Sequence, residues 1–356
     1  MTNLADELEG FEPENPLEEK LVVARQENTK LRSQLNSAFR DLASLREVAD
    51  FTDALKTART APPKWLQPKR TKGKHKAILV TILSDCHFDE VVRPEEVGFR
   101  NSYNREIGTL RLERFAQGFI TQARDYLSGL EYEGAVVCLG GDIFSGNIHD
   151  ELRETNEDTI FGSMLYWSEQ ICAALELIVD YFGKLHVPCV VGNHGRMTRK
   201  SRAKLRARDN LDWFLAHLVR RHFKDDPRVT VDVPDDADCF FTVYDTVHLL
   251  THGDQTGGGG GIGGIWPPLM RMIARKQVRY NDVPFDVMVC GHWHQLVMAP
   301  AQGLIVNGAL KGYDEYAAVS NFRPERAQQG MWVVTPQNKI TWTGPIFVDD
   351  REAEGW

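Results

Sequence analysis

The sequence predicts an α/β domain preceded by a long N-terminal coiled-coil helix, and three observations lead there. From Ala77 onward, short apolar runs alternate with stretches of helical periodicity. Five of those runs stop at Asp, Asn or His. Upstream, apolar or small residues recur at alternating spacings of four and three. The 356 residues, 42% hydrophobic and 10% aromatic, are enough for a sizeable buried core in one large domain or two ordinary ones.

Residues 1–16 form an acidic tail without the basic start and apolar run of a secretory signal. A coiled-coil helix is expected over 17–51, because Leu17, Leu21, Ala24, Asn28, Leu31, Leu35, Ala38, Leu42, Leu45 and Ala49 keep the 4-3 spacing throughout. With the three-residue steps read as a to d, Asn28 falls at an a position, where one buried Asn favours two strands. Glu27 then faces Arg32 and Asp41 faces Arg46 across a parallel pair, while Lys20 meets Arg25 unfavourably. The expectation is a homo-oligomer, dimer favoured; a single amphipathic helix folded back on its own domain is the alternative. Residues 52–76 read as a basic, Pro-containing linker, with seven Lys or Arg and no acid between Arg59 and Lys76.

The main domain is expected over 77–346, followed by a C-terminal tail at 347–356. Its strands are AILVTILSD, EGAVVCLGGD, HVPCVVGN, TVHLLTHGD and FDVMVCGHWH. Three helices lie between them: Leu112, Phe115, Ala116, Phe119 and Ala123 mark the first, Met164, Trp167, Ile171, Leu175 and Ile178 the second, and Leu211, Phe214, Leu215, Leu218 and Val219 the third. In such domains functional groups gather at the C-terminal strand ends. Residues 303–343 read as added antiparallel strands.

The net charge of -8 repels polyanions as a whole, so any nucleic-acid contact needs a local basic patch. No run of about 18 apolar residues predicts a membrane span. Six Cys, scattered singly without CxxC pairs, suggest a reducing cytoplasm.

The strand ends carry Asp85 and His87, Asp142, Asn193 and His194, His252, then His292 and His294. Carboxylate oxygen with imidazole nitrogen suits manganese, iron or zinc, and two ions about 3.5 to 4 Å apart need about this many ligands. Beside them, Arg196 to Arg208 holds seven basic residues and no acid, a strip suited either to a phosphate backbone or to plain solvation. Arg196, Arg199 and Lys200 from this strip are candidate substrate contacts, and His149, past Asp142, is another, with a surface loop as its alternative. Gly253 to Gly264 includes eight Gly, which reads as a close backbone approach, a moving lid or simply a flexible loop. Strand alternation turns Cys86 into the core, away from Asp85 and His87.

The ordered series SDCH, GGDIFSG, GNH, THG and GHWH resembles the calcineurin-like metallophosphoesterases. The resemblance spans Asp85 to His294 and leaves out the coiled coil. It implies a four-layer α/β/β/α sandwich and a phosphoesterase using two divalent ions, manganese first, with Fe, Zn or Mg as alternatives. Position by position it implies Asp85, His87 and His294 for one metal, Asn193, His252 and His292 for the other, Asp142 as bridge, and His194 beside the scissile phosphate. Protein phosphatases of the superfamily carry Asp and Arg where this chain has Ser145 and Gly146. GGDIFSG is similar instead to the DNA-repair exonucleases, although those carry Asp where Gly195 stands. GNHGR with GDIFSG resembles uncharacterised phosphoesterases met in bacteriophage genomes, which would place the chain in the cytoplasm of a bacterial host. The implied substrate is DNA or RNA, with a small phosphodiester as alternative and a noncatalytic metal-containing scaffold as the remaining one.

Overall fold

A computed structural model describes residues 16–57, 75–257 and 264–356. Most of the acidic tail, most of the basic linker and the centre of the glycine-rich loop lie outside the described residues. Two units separate along the chain near residue 61.

In the first unit, α1 (Pro16–Thr57) is one continuous helix of 42 residues, about 60 Å long at 1.5 Å per residue. Its seam leucines are open: Leu17 is 78% exposed, Leu31 63%, Leu35 55% and Leu45 67%. Helices of this length get most of their stability from packing one face.

The second unit has four layers. One sheet has the order β11-β10-β1-β2-β3-β4, from β1 (Lys76–Leu83), β2 (Glu131–Leu139), β3 (Leu185–Pro188), β4 (Val229–Asp232), β10 (Gln328–Thr335) and β11 (Lys339–Phe347). The other has the order β5-β6-β7-β9-β8, from β5 (Asp238–Val243), β6 (Thr246–Thr251), β7 (Val287–Cys290), β8 (Val297–Ala299) and β9 (Leu304–Val306). β1 to β4 run parallel, as do β6, β7 and β9, while β10, β11, β5 and β8 pair antiparallel. The expected antiparallel character of 303–343 thus holds for β10 and β11, whereas β9 runs parallel to β7.

Side-chain alternation along β1 divides two cores. Ala77, Leu79 and Leu83 pack with α2 (Arg105–Thr121), α4 (Ile160–Phe182) and α5 (Leu211–His222), which form the outer layer. Ile78, Val80 and Ile82 turn the other way and meet Phe241, Leu250, Val289 and Ile305 of the second sheet. On that sheet's outer face Leu249 and Met288 pack against Leu269, Met272 and Ile273 of α6 (Trp266–Arg279).

The three helices expected from periodicity are α2, α4 and α5; Ala123 falls past the end of α2 in a π-helical turn, Gln122–Tyr126. Sequence periodicity missed β4, β5, β8, the 14-residue α6 and the short helices α3 (Asp150–Thr155), α7 (Glu315–Val319) and α8 (Arg351–Glu354). α8 lies in the stretch read as a tail and is tied to the domain. Glu354 meets the fully buried Arg111 at 2.9 Å, and Arg111 also donates to the carbonyl oxygen of Lys311 at 2.6 Å.

All six cysteines are buried and unpaired, and Cys86 belongs to the core between β1 and the helices. No helix among the described residues is long and apolar enough to cross a membrane.

Candidate metal centre

All five candidate loops leave the C-terminal ends of parallel strands: β1, β2, β3, β6 and β7. The first two lie side by side, with the N–H groups of Cys86 and His87 both donating to the Asp142 carbonyl at 3.0 and 3.1 Å. The loops after β2 and β3 touch so closely that a Cβ on Gly141 would collide with the backbone N of Gly192, and one on Gly192 with Asp142 Oδ1. The Gly-Asp and Gly-Asn-His spellings therefore have a steric cause.

Backbone conformation marks the same residues. Asp85 (φ 53°), His87 (46°), Asp142 (50°), His292 (70°) and His294 (51°) all occupy the left-handed region. For side chains with a Cβ this region is unfavourable and persists where surrounding structure fixes it, commonly at functional sites. Phe88 helps fix the first loop by stacking on Trp167 of α4, ring centroids 3.6 Å apart and planes 7° from parallel.

Three overlapping groups bring ligand atoms within 4.8 Å of one another: Asp85, His87 and His294; His87, Asp142 and His194; Asp142, His252 and His292. His87 joins the first group to the second and Asp142 joins the second to the third, so the groups are one continuous centre.

The donor atoms fit cations. His252 Nδ1 sits 2.9 Å from the Gly140 carbonyl oxygen, so the proton belongs on Nδ1 and the Nε2 lone pair faces Asp142 Oδ2 at 3.0 Å. Two acceptors at that distance need a positive charge between them, and Nε2 has no hydrogen-bond partner. Likewise His87 Nε2 and His294 Nε2 face each other at 3.2 Å, and Asn193 Oδ1 is buried and unpartnered. An unpartnered imidazole nitrogen and amide oxygen beside these close-set nitrogen and carboxylate atoms make the donor set of a divalent-ion site.

Charge balance follows the same lines. Burial opposes ionisation of Asp142, yet the surrounding His252, His194 and His87 hold its carboxyl well below the usual range. Burial also works against His252, but Asp142 and then Asp85 push it up to about 10. A proton there plays the part a metal would take over. Burial pushes His87 down to about 3, with Lys311 and His194 adding, and burial and then His252 push His292 down to about 4. Neutral imidazoles are the form that ligates. His194 is lowered by burial and partly restored by Asp142; its Nδ1 lies 2.9 Å from the Ser145 carbonyl oxygen, and its backbone N–H donates to Asp142 Oδ1 at 2.7 Å.

The candidate substrate contacts separate. His149 is exposed with its ring 6.1 Å from that of His194. Arg196 turns into its own loop, donating to the carbonyls of Asn193, Thr198 and Arg199. Arg199 pairs with Asp150 at 2.5 Å, and Lys200 is exposed. The basic strip is an irregular loop, with Arg206 paired to Asp254 and Arg208 to Asp235.

Periodicity and motif spacing missed the supports behind the ligands. Asp212, in the first turn of α5, accepts from the backbone N–H groups of Asp142 (3.0 Å), Ile143 (3.3 Å) and Gly192 (2.8 Å), clamping two loops together. Burial, then Asp142, raises its pKa to about 6. Glu90 lies 3.4 Å from His87 Nδ1 and accepts from Lys311 Nζ at 2.8 Å. Behind Asp85, Ser84 Oγ donates to Oδ2 at 2.5 Å, and Asn307 Nδ2 donates to Ser84 Oγ and Gln329 Oε1 at 2.8 and 2.9 Å. The one sequence signal for Asp212 was an acid just inside a helix start capped by Asn210.

Two sheets flanked by helices, with ligand clusters at the strand ends, define a metallophosphoesterase-like fold, the class the motifs resemble. No family model and no curated protein matches the chain. Among solved structures it is similar to Vps29 from Entamoeba histolytica, complexed with Zn, at 11% identity over 76% of this chain and 99% of that one, TM-score 0.28. A second match is an uncharacterised protein of Streptococcus pneumoniae described as a predicted phosphoesterase, at 11% identity over 77% and 98%, TM-score 0.27. A third is the sulfate thiohydrolase SoxB of Thermus thermophilus, in complex with glycerol, at 11% identity over 78% and 57%, TM-score 0.29.

Proposed function

We propose that the chain is a phosphoesterase dependent on two divalent metal ions, manganese first, that hydrolyses phosphodiester bonds, with nucleic acid as substrate. The observation that supports this reading is the sharing of His87 and Asp142 between neighbouring clusters, which links the three into one centre. Asp85, His87 and His294 would hold one ion, Asn193, His252 and His292 the other, and Asp142 would bridge them. Ions bound there supply Lewis acidity toward a phosphoryl oxygen and a water nucleophile at neutral pH.

The chain's own residues do the rest. The Gly140 carbonyl fixes the tautomer of His252, and Glu90 lies 3.4 Å from His87 Nδ1. Ser145 O holds His194 Nδ1, leaving Nε2 for the leaving oxygen. As imidazolium, His194 delivers a proton from Nε2 there; as neutral imidazole it cannot, so its contribution falls as pH rises.

The test compares metal-free protein reconstituted with manganese on an aryl phosphodiester and on end-labelled single- and double-stranded DNA, with His194→Ala as control. DNA cleavage reduced about 100-fold or more in the variant is the expected result. Silence on both substrates with two metals bound would overturn the reading. Hydrolysis of the aryl diester alone would favour a small phosphodiester, a reading supported by the ion pairs that already engage Arg199, Arg206 and Arg208.

The open leucine seam of α1 supports a second proposal, that two copies pair through this helix.

A further inference from the structure

Resting on the phosphodiesterase reading, we propose that a recess beside the metal centre binds a second phosphate group of the same substrate, as the neighbouring phosphate of an oligonucleotide supplies. The recess is lined by Asn193, one of the candidate ligands, and by Arg196, Arg202, Lys204 and Arg206, with Asp209 as its only acid. Even with Arg206 paired to Asp254, its basic residues outnumber the acids, on a protein of net charge -8.

The recess is built rather than incidental. Its loop is closed at the base, where Arg196 and Asn210 bridge antiparallel and the N–H of Leu211 donates to the Gly195 carbonyl at 2.7 Å. The Asn210 amide donates to the Gly192 carbonyl at 2.8 Å, tying the same base to the turn that carries Asn193. Arg196 spends three of a guanidinium's five N–H groups on the carbonyls of its own loop, which fixes its plane and leaves two to donate. Arg206 is held by Asp254, two residues past His252, at 2.5 and 2.6 Å, and its Nε is buried without a hydrogen-bond partner. The two N–H groups that Arg196 keeps free, with the Arg206 guanidinium in the same lining, are donors suited to an anionic oxygen acceptor. Arg202 and Lys204 are exposed at the rim, and no ion pair engages them among the described residues. They are free to close on the bound group.

This places the reacting phosphate at the metals and its neighbour in the recess, so phosphate contacts set the register of the strand without reading bases. The assignment moves substrate recognition from Arg199 and Lys200, which do not line the recess, to Arg202, Lys204 and Arg206.

The test is calorimetric binding of the dinucleotides pTpT and TpT to manganese-loaded full chain carrying His194→Ala, which slows turnover. Binding of pTpT about 10-fold tighter than TpT is expected. In the added double variant Arg202→Ala/Lys204→Ala, that ratio should fall to near one with TpT affinity unchanged. A double variant at Arg221 and Lys224, outside the recess, should keep the ratio. A ratio near one in the parent, or a ratio that survives loss of Arg202 and Lys204, overturns the proposal. Hydrolysis by the His194-containing chain is followed in parallel. A preserved ratio without any cleavage would overturn the phosphodiesterase reading and leave the phosphate subsite standing.

Discussion

His248 sits between the two sheets, stacked on Phe241 with ring centroids 4.5 Å apart, and its Nε2 accepts from Trp332 Nε1 at 3.2 Å. Its Nδ1 faces the Thr246 carbonyl oxygen at 3.1 Å, so both nitrogens are satisfied only in the neutral ring. Burial pushes its pKa down to about 4 from the ordinary 6.5. Between those values the unfolded chain holds a proton that the folded one lacks. The contribution to stability is therefore present above pH 6.5 and lost as pH falls toward 4, at up to about 1.4 kcal/mol per pH unit. Denaturant unfolding across this window should show a shallower pH slope in His248→Gln than in the parent; equal slopes would disprove the assignment. At the metal centre, Asp142→Asn should lower metal content and activity together, and unchanged metal content by elemental analysis would remove the bridging role. The candidate ligands were legible because chemically apt residues ended successive apolar runs. Asp212 was not, since its partners are backbone N–H groups 20 and 70 residues away, and such contacts leave no periodic trace.

Among the elements, α1 and α8 carry separate expectations. If α1 pairs with a second copy, Leu31→Lys with Leu35→Lys should convert the dimer to monomer in sedimentation analysis while metal content stays constant. A parent chain that sediments as a monomer would defeat the pairing. α8 had no legible signal because four residues contain no period; its place is set by the Arg111–Glu354 pair, whose side chains are both 0% exposed. Glu354→Ala leaves the Arg111 charge buried with only neutral partners, Asn101 and backbone carbonyls, which should cost about 3 kcal/mol. A denaturation midpoint unchanged in this variant would show the pair to be dispensable. The long strands β1 and β2 were legible as apolar runs buried on both faces. β4, with four half-buried residues, is held by pairing with β3 rather than by an apolar pattern of its own.

For the molecule as a whole, the alternation of strands and helices announced the class of fold, but not the strand order. β10 enters beside β1 with Thr81 Oγ1 donating to the Gly330 carbonyl at 2.8 Å, a contact between residues 249 apart in sequence. The local count of seven basic residues likewise overstated the strip, since Arg199, Arg206 and Arg208 are already paired with carboxylates. With four cations left, binding of duplex DNA should weaken with salt at a slope no steeper than about -4 in a plot of log affinity against log salt. A slope of about -6 would mean that further basic segments, such as Arg59 to Lys76, engage the backbone.

The six unpaired thiols have a kinetic consequence. Each is buried, and burial raises the pKa of each, so neither access nor thiolate is available in the folded state. A thiol reagent can therefore modify this chain only through opening events. Because the six lie in β1's exit loop, β2, α4, β3's exit, β5 and β7, mapping which cysteine is labelled first would rank the layers of the sandwich by the ease with which each comes apart.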